Sequence, residues 1–110
     1  MIHYNNNRPF VEGVSLENLG KTQQTPFYVY SQSKITNTFQ QLESTLGSEI
    51  FYAVKANSNQ AIIKLMATLG AGADVVSVGE LERAILAGVE PQKIIFEGIG
   101  KTKQDIAFAI

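Results

Sequence analysis

The sequence predicts an α/β protein built from parallel β/α units. Strand-like and helical runs alternate at intervals of about 20 residues, which is the pattern of strands each covered by the helix that follows. Glycine or proline punctuates the junctions, at Gly47, Gly70, Gly88, Pro91 and Gly98. The composition, 45% hydrophobic and 17% charged over 110 residues, is that of a globular chain with material for a core.

The elements follow in order. Residues 1–24 are polar and irregular, with spaced apolar residues (Phe10, Val11, Val14, Leu16, Leu19) and the turn-prone pair Leu19-Gly20, and are expected to form an arm. Residues 25–30, Thr-Pro-Phe-Tyr-Val-Tyr, are aromatic and β-branched with proline near the start, which predicts a short strand. Ile35, Phe39, Leu42 and Leu46 recur at helical spacing over 31–46, with Ser31 or Ser33 to cap the start and Gly47 to end it.

The repeating units then begin. Residues 49–56 predict a strand, and 59–69 a helix with Ile62, Leu65, Met66 and Leu69 on one face before Gly70. Residues 73–77 predict a second strand, and 78–87 a helix with Leu81, Ala84 and Ile85 inward. Residues 93–97 predict a third strand, and a third helix starts near Thr102 with Ile106, Ala109 and Ile110 on its apolar side.

Three such units cannot close an eight-stranded barrel, which takes about 250 residues. An open three-stranded sheet would expose an apolar edge and face. The helical pattern also reaches Ile110 without a glycine stop or a closing basic turn. The chain is therefore expected to be a fragment, a partial (β/α)8 barrel preceded by a short strand and helix, and to self-associate.

Charge and composition exclude several classes of function. Nine basic residues against ten acidic ones leave a net charge of −1, so polyanion binding is disfavoured and neither nucleic acid nor a membrane is an expected partner. No signal-like segment opens the chain and no apolar run approaches about 18 residues, so a cytoplasmic location is expected. The absence of cysteine excludes disulfides, thiol nucleophiles and thiolate metal sites. The lone His3 sits in a polar stretch with no partner in motif spacing, so no metal site is expected.

Lys55 is the first candidate for chemistry. It ends the run Phe51-Tyr52-Ala53-Val54-Lys55-Ala56-Asn57, and alternation would place Phe51, Ala53 and Lys55 on one face. A lysine at the carboxyl end of an inward-facing series enters the mouth where β/α active sites lie, where an amine can attack an aldehyde. A strand-end lysine that snorkels to solvent is the competing reading. Asp74 opens the second strand beside two valines, either as a site acid or as a satisfied carboxylate. Glu80 lies three residues after Ser77, so Ser77-Val78-Gly79-Glu80 also has the form of a capping box.

Two glycine motifs are excluded. Gly70-Ala71-Gly72 lacks the third glycine of a dinucleotide loop, whose place is held by Val75. Gly98-Ile99-Gly100-Lys101-Thr102 lacks the first glycine of a phosphate-binding P-loop, whose place is held by Ile95. Gly98 and Gly100 instead suit a tight strand-to-helix corner.

Four segments in this order and spacing, residues 25–30 (TPFYVY), 51–57 (FYAVKAN), 72–81 (GADVVSVGEL) and 96–102 (FEGIGKT), resemble the diaminopimelate decarboxylases. Strands like YAVKAN also occur in the related ornithine, arginine and carboxynorspermidine decarboxylases. The resemblance implies a (β/α)8 barrel with a β-domain: residues 1–30 would go with the β-domain and 31–110 with the cofactor-binding barrel. It implies a homodimer, a small amino-acid substrate, and pyridoxal 5'-phosphate held on Lys55 as a Schiff base, with Asp74 close to that linkage and Glu80 closing the same corner. Val78 stands where the family motif has glycine, which replaces no catalytic group. The family's later site residues fall beyond residue 110, so the isolated chain is expected to bind the cofactor weakly and not to decarboxylate. A fragment of a related ornithine, arginine or carboxynorspermidine decarboxylase, a noncatalytic pyridoxal-phosphate carrier or oligomerisation module, and a reading frame without present function are the competing expectations.

Overall fold

The computed structural model describes residues 2–110, which form two compact units, one ending at Gln41 and one running from Leu42 to Ile110. The first holds three antiparallel strands, β1 (Ile2–Asn5), β2 (Arg8–Val11) and β3 (Val14–Ser15), followed by helix α1 (Leu16–Thr22). Helix α2 (Gln32–Leu46) starts in this unit and ends in the second.

The expected irregular arm is thus a meander followed by a helix. Its polarity hid the strands because β1 is exposed throughout and shows no alternation. The turns are legible in hindsight. Asn6-Asn7 and Glu12-Gly13 each join two strands with φ of 48°, 60°, 52° and 81°, the left-handed pair that two-residue hairpins require. Ser15 caps α1 by accepting from the Asn18 N–H at 3.4 Å.

Residues 25–30 do not form the expected strand. Aromatic and β-branched composition favours extended backbone but supplies no ladder partner. Tyr28 is 88% exposed, and its ring stacks on Tyr30 at 6.3 Å. Ser31 caps α2, accepting from the Lys34 N–H at 3.1 Å. Its hydroxyl donates to the Glu12 carboxylate, which also accepts from the Ser33 N–H at 2.7 Å and the Ser33 hydroxyl. The Ser31 hydroxyl, then the Ser33 hydroxyl and N–H, hold the Glu12 carboxyl below its ordinary value.

In the second unit, β4 (Phe51–Ala53), β5 (Gly72–Val75) and β6 (Ile94–Phe96) form a parallel sheet in the order β4-β5-β6. Helix α3 (Gln60–Thr68) follows β4, α4 (Val78–Leu86) follows β5, and α5 (Lys103–Ala109) follows β6, so the three expected β/α units are present. Each begins on a side-chain cap: Asn59 accepts from the Ala61 N–H, Ser77 from the Glu80 N–H, and Thr102 from the Asp105 N–H.

The core joins the central strand to α3 and α4. Val54, Ile63, Ala73, Val75, Leu81, Ala84, Ala87 and Val89 cluster there, with Tyr52, Ala67, Ile94 and Phe96 packed against them. Three expectations of facing need correction. Ile63, absent from the expected stripe of α3, is buried, whereas Leu65, Met66 and Leu69 are only half-buried. On α4, Leu81 and Ala84 face inward as expected, but Ile85 is 47% exposed. Ile106 and Ile110, expected on the apolar side of α5, are also exposed. Gly72 is required by close approach: a Cβ there would stand 2.6 Å from the Lys93 carbonyl oxygen and 2.5 Å from the Phe51 ring.

Thr102 and Asp105 form a complete capping box. The Thr102 N–H donates to Asp105 Oδ2 at 2.7 Å, and the Asp105 N–H donates to the Thr102 hydroxyl at 3.1 Å. The Thr102 N–H, then its hydroxyl, hold the Asp105 carboxyl below its ordinary value. A lowered folded-state value stabilises the fold above the ordinary carboxylate range, and the contribution fades as pH falls through the lowered value. Amide-exchange protection at Thr102 should therefore drop on acidification below that range, and Asp105→Asn should make it insensitive to pH there.

Candidate functional site

The three candidate residues lie in the second unit, around the carboxyl ends of its strands. Lys55 does not continue β4. The strand ends at Ala53, and Val54–Ala56 form a single 3₁₀ turn whose Asn57 N–H donates to the Val54 carbonyl at 3.2 Å. Strand alternation therefore fails as the reason for its direction. The turn places Val54 in the core with no exposed surface and turns Lys55 outward, its side chain 57% exposed.

The turn is braced on both sides. The Tyr52 hydroxyl donates to the Asn57 carbonyl at 2.9 Å, closing the backbone over Lys55. Arg83 Nη1 donates to the Ser58 carbonyl at 3.1 Å, and Gln60 Nε2 donates to the Arg83 carbonyl at 2.9 Å. Helix α4 thus holds the loop that follows the lysine.

Asp74 lies in the central strand, opposite Ala53 of β4 and Ile95 of β6. Its Oδ1 is buried and, among the described residues, has no hydrogen-bond partner. A buried acceptor left unsatisfied costs roughly 1–3 kcal/mol, so such an atom calls for a donor. Glu80 is half-buried at the start of α4, where its Oε2 accepts from the Val76 N–H at 2.9 Å. The expected capping box at Ser77 is therefore one-way. The Glu80 N–H reaches the Ser77 hydroxyl at 3.2 Å, while the carboxylate ties the β5–α4 corner one residue earlier.

Sequence reasoning missed Glu97. Its Oε1 lies 3.3 Å from Lys55 Nζ, the pair half in solvent. The available signal was topological: Glu97 follows β6 at the same end of a parallel sheet at which Lys55 follows β4. Gly98 and Gly100 turn the chain there with φ of 97° and 88°, the corner expected of them. Lys101 folds back onto this corner, donating to the Gly98 carbonyl and lying 5.1 Å over the Phe96 ring. Among the described residues no helix is long and apolar enough to cross a membrane.

An exposed primary amine at the carboxyl end of a parallel sheet, whose central strand carries a buried carboxylate oxygen with no donor among the described residues, suits an aldehyde cofactor and an amino-group ligand. Residues 32–110 match the family model described as the pyridoxal-binding domain of pyridoxal-dependent decarboxylases. This chain belongs to the pyridoxal-dependent decarboxylases. It is similar to the diaminopimelate decarboxylase of Aquifex aeolicus, 43% identical over 99% of this chain and 26% of that protein. Two solved decarboxylases share its fold. The diaminopimelate decarboxylase of M. jannaschii in co-complex with L-lysine superposes with a TM-score of 0.83 at 39% identity, over 99% of this chain and 27% of that one. That of Helicobacter pylori complexed with L-lysine does so with a TM-score of 0.79 at 46% identity, over 84% and 24%. This decarboxylase-family chain spans about a quarter of the length of the curated relatives it matches.

Proposed function

We propose that the chain supplies the lysine-bearing part of a diaminopimelate decarboxylase, which converts meso-2,6-diaminopimelate to L-lysine and CO2 with pyridoxal 5'-phosphate. The carrying observation is Lys55 itself: an accessible amine held at a sheet edge by a braced turn, in a chain whose relatives bear that name. When bound, pyridoxal phosphate supplies the electron sink for the carbanion left by departing CO2.

The chain's own residues do the positioning. Lys55 would hold the cofactor's aldehyde carbon through Nζ. Asp74 offers a buried acceptor oxygen to an ammonium or ring N–H presented by what binds there. Glu80, anchored on the Val76 N–H, keeps the β5–α4 corner closed beneath Asp74. On this reading the three β/α units are the first part of a (β/α)8 barrel, residues 1–30 go with a second, β-rich domain, and the working enzyme is a homodimer.

Grafting residues 1–110 in place of the corresponding segment of the A. aeolicus enzyme tests the proposal. Lysine formed from meso-2,6-diaminopimelate by the purified chimaera, at a rate comparable with the parent, supports it. A folded chimaera that binds cofactor but forms no lysine overturns it.

The exposed apolar residues Leu86, Phe108 and Ile110 make self-association the expected state of the 110-residue chain alone. Light scattering should give a mass above the 12.0 kDa of one chain.

A further inference from the structure

We propose that Glu97 is a latch for Lys55: it holds the lysine's ammonium at the β6 edge and must release it before the amine can take up an aldehyde cofactor. The proposal rests on the reading of Lys55 as the cofactor lysine, and deepens it by naming the residue that restrains it.

The geometry carries it. Lys55 Nζ and Glu97 Oε1 are 3.3 Å apart although their residues are 42 positions apart in sequence, so the contact is made by the fold and by no local preference. Each partner projects from a constrained stretch of backbone. Lys55 sits in the 3₁₀ turn closed by Tyr52, and Glu97 is held by its own N–H, which donates to the Val75 carbonyl at 2.9 Å. The glycine turn at Gly98, whose Cα faces Val76, directs the chain away immediately afterwards. The carboxylate is therefore presented at the lysine across the carboxyl end of the central strand. A paired ammonium has no lone pair to offer a carbonyl carbon. Condensation with an aldehyde, which forms the carbon–nitrogen bond and releases water, requires the nitrogen to shed its proton and leave Glu97. Asp74 is half-buried in the central strand, and its buried Oδ1 has no hydrogen-bond partner among the described residues.

The pair is solvent-exposed, so its restraint is modest and sensitive to salt. Trace acetylation with acetic anhydride, read by peptide mass spectrometry as the ratio of Lys55 to Lys64 labelling, measures it without any cofactor. In the full chain, Glu97→Gln should raise the ratio about two- to fivefold at low ionic strength. On the wild-type chain about 1 M KCl should raise the ratio towards the variant's value and leave the variant unmoved. A ratio indifferent to both the substitution and salt would overturn the proposal, and the salt arm reads the latch even if the variant folds poorly.

A second arm joins the latch to the cofactor. Pyridoxal phosphate followed by borohydride should leave more reduced adduct on Lys55 in Glu97→Gln than in wild type. Labelling that responds while adduct yield does not would overturn the claim that the pair restrains cofactor capture. No adduct on Lys55 in either protein would instead overturn the reading of Lys55 on which the latch rests.

Discussion

Lys55→Ala should abolish the borohydride-reduced pyridoxal adduct of the chain and reduce lysine formation by the chimaera on the order of a thousandfold or more. The size of the effect follows from what the side chain does. A weakened contact costs a factor of a few, whereas removing the one amine that bonds the cofactor removes the step altogether. Lys55→Arg separates this role from charge. A guanidinium keeps the positive charge and can still face Glu97, but stays protonated and cannot bond an aldehyde carbon. Both variants should lose the adduct, while Lys101→Ala should keep it, because Lys101 is spent on the Gly98 carbonyl and the Phe96 ring. Adduct persisting in Lys55→Arg, measured by peptide mass, would exclude Lys55 as the cofactor lysine.

The largest effect on stability is expected from Ile63→Ala. Ile63 is 1% exposed and packs with Val54, Ala73, Val75, Leu81 and Ala84 between α3, the central strand and α4. Removing its outer carbons from a site closed on all sides should cost about 2–5 kcal/mol in urea unfolding. Domain stability is typically about 5–15 kcal/mol, so the loss is a large part of the whole. Ile85→Ala is the informative control. Ile85 has the same chemistry on the next helix but is half in solvent, and its loss should cost under about 1 kcal/mol. The Ile63 substitution should also loosen the site, since Val54 shares this core and directly precedes Lys55 in the 3₁₀ turn. Amide exchange at Lys55 and Asn57 should quicken in Ile63→Ala and stay unchanged in Ile85→Ala.

Much was legible without coordinates because it depends on local chemistry. The helical spacing of Ile35, Phe39, Leu42 and Leu46 predicts α2, and Ser31 and Gly47 mark its ends because a hydroxyl satisfies a free N–H and glycine takes a positive φ of 61°. The alternation of apolar strands with capped helices predicts three parallel β/α units, because each strand must be covered by the helix that follows. Lys55 and Asp74 stood out because charged side chains beside apolar strand residues are costly without a purpose, and Glu80 through its spacing from Ser77 and the family motif.

What failed depended on partners distant in sequence. The strand expected at 25–30 had the propensity but no ladder to join, and the meander at the start had ladders without an apolar pattern, since it is exposed along β1. Ile63 and Ile85 exchanged their expected places because the breadth of a helix's buried stripe is set by how many elements pack on it.

By itself, the sequence determined the α/β class, helices α2 to α5 and the family, since caps, periodicity and ordered motifs are properties of neighbouring residues. Only the tertiary structure decided which way Lys55 turns and what meets it there. The 3₁₀ turn that aims it and the Glu97 carboxylate 3.3 Å away arise from hydrogen bonds and packing between strands that the chain brings together across 42 residues.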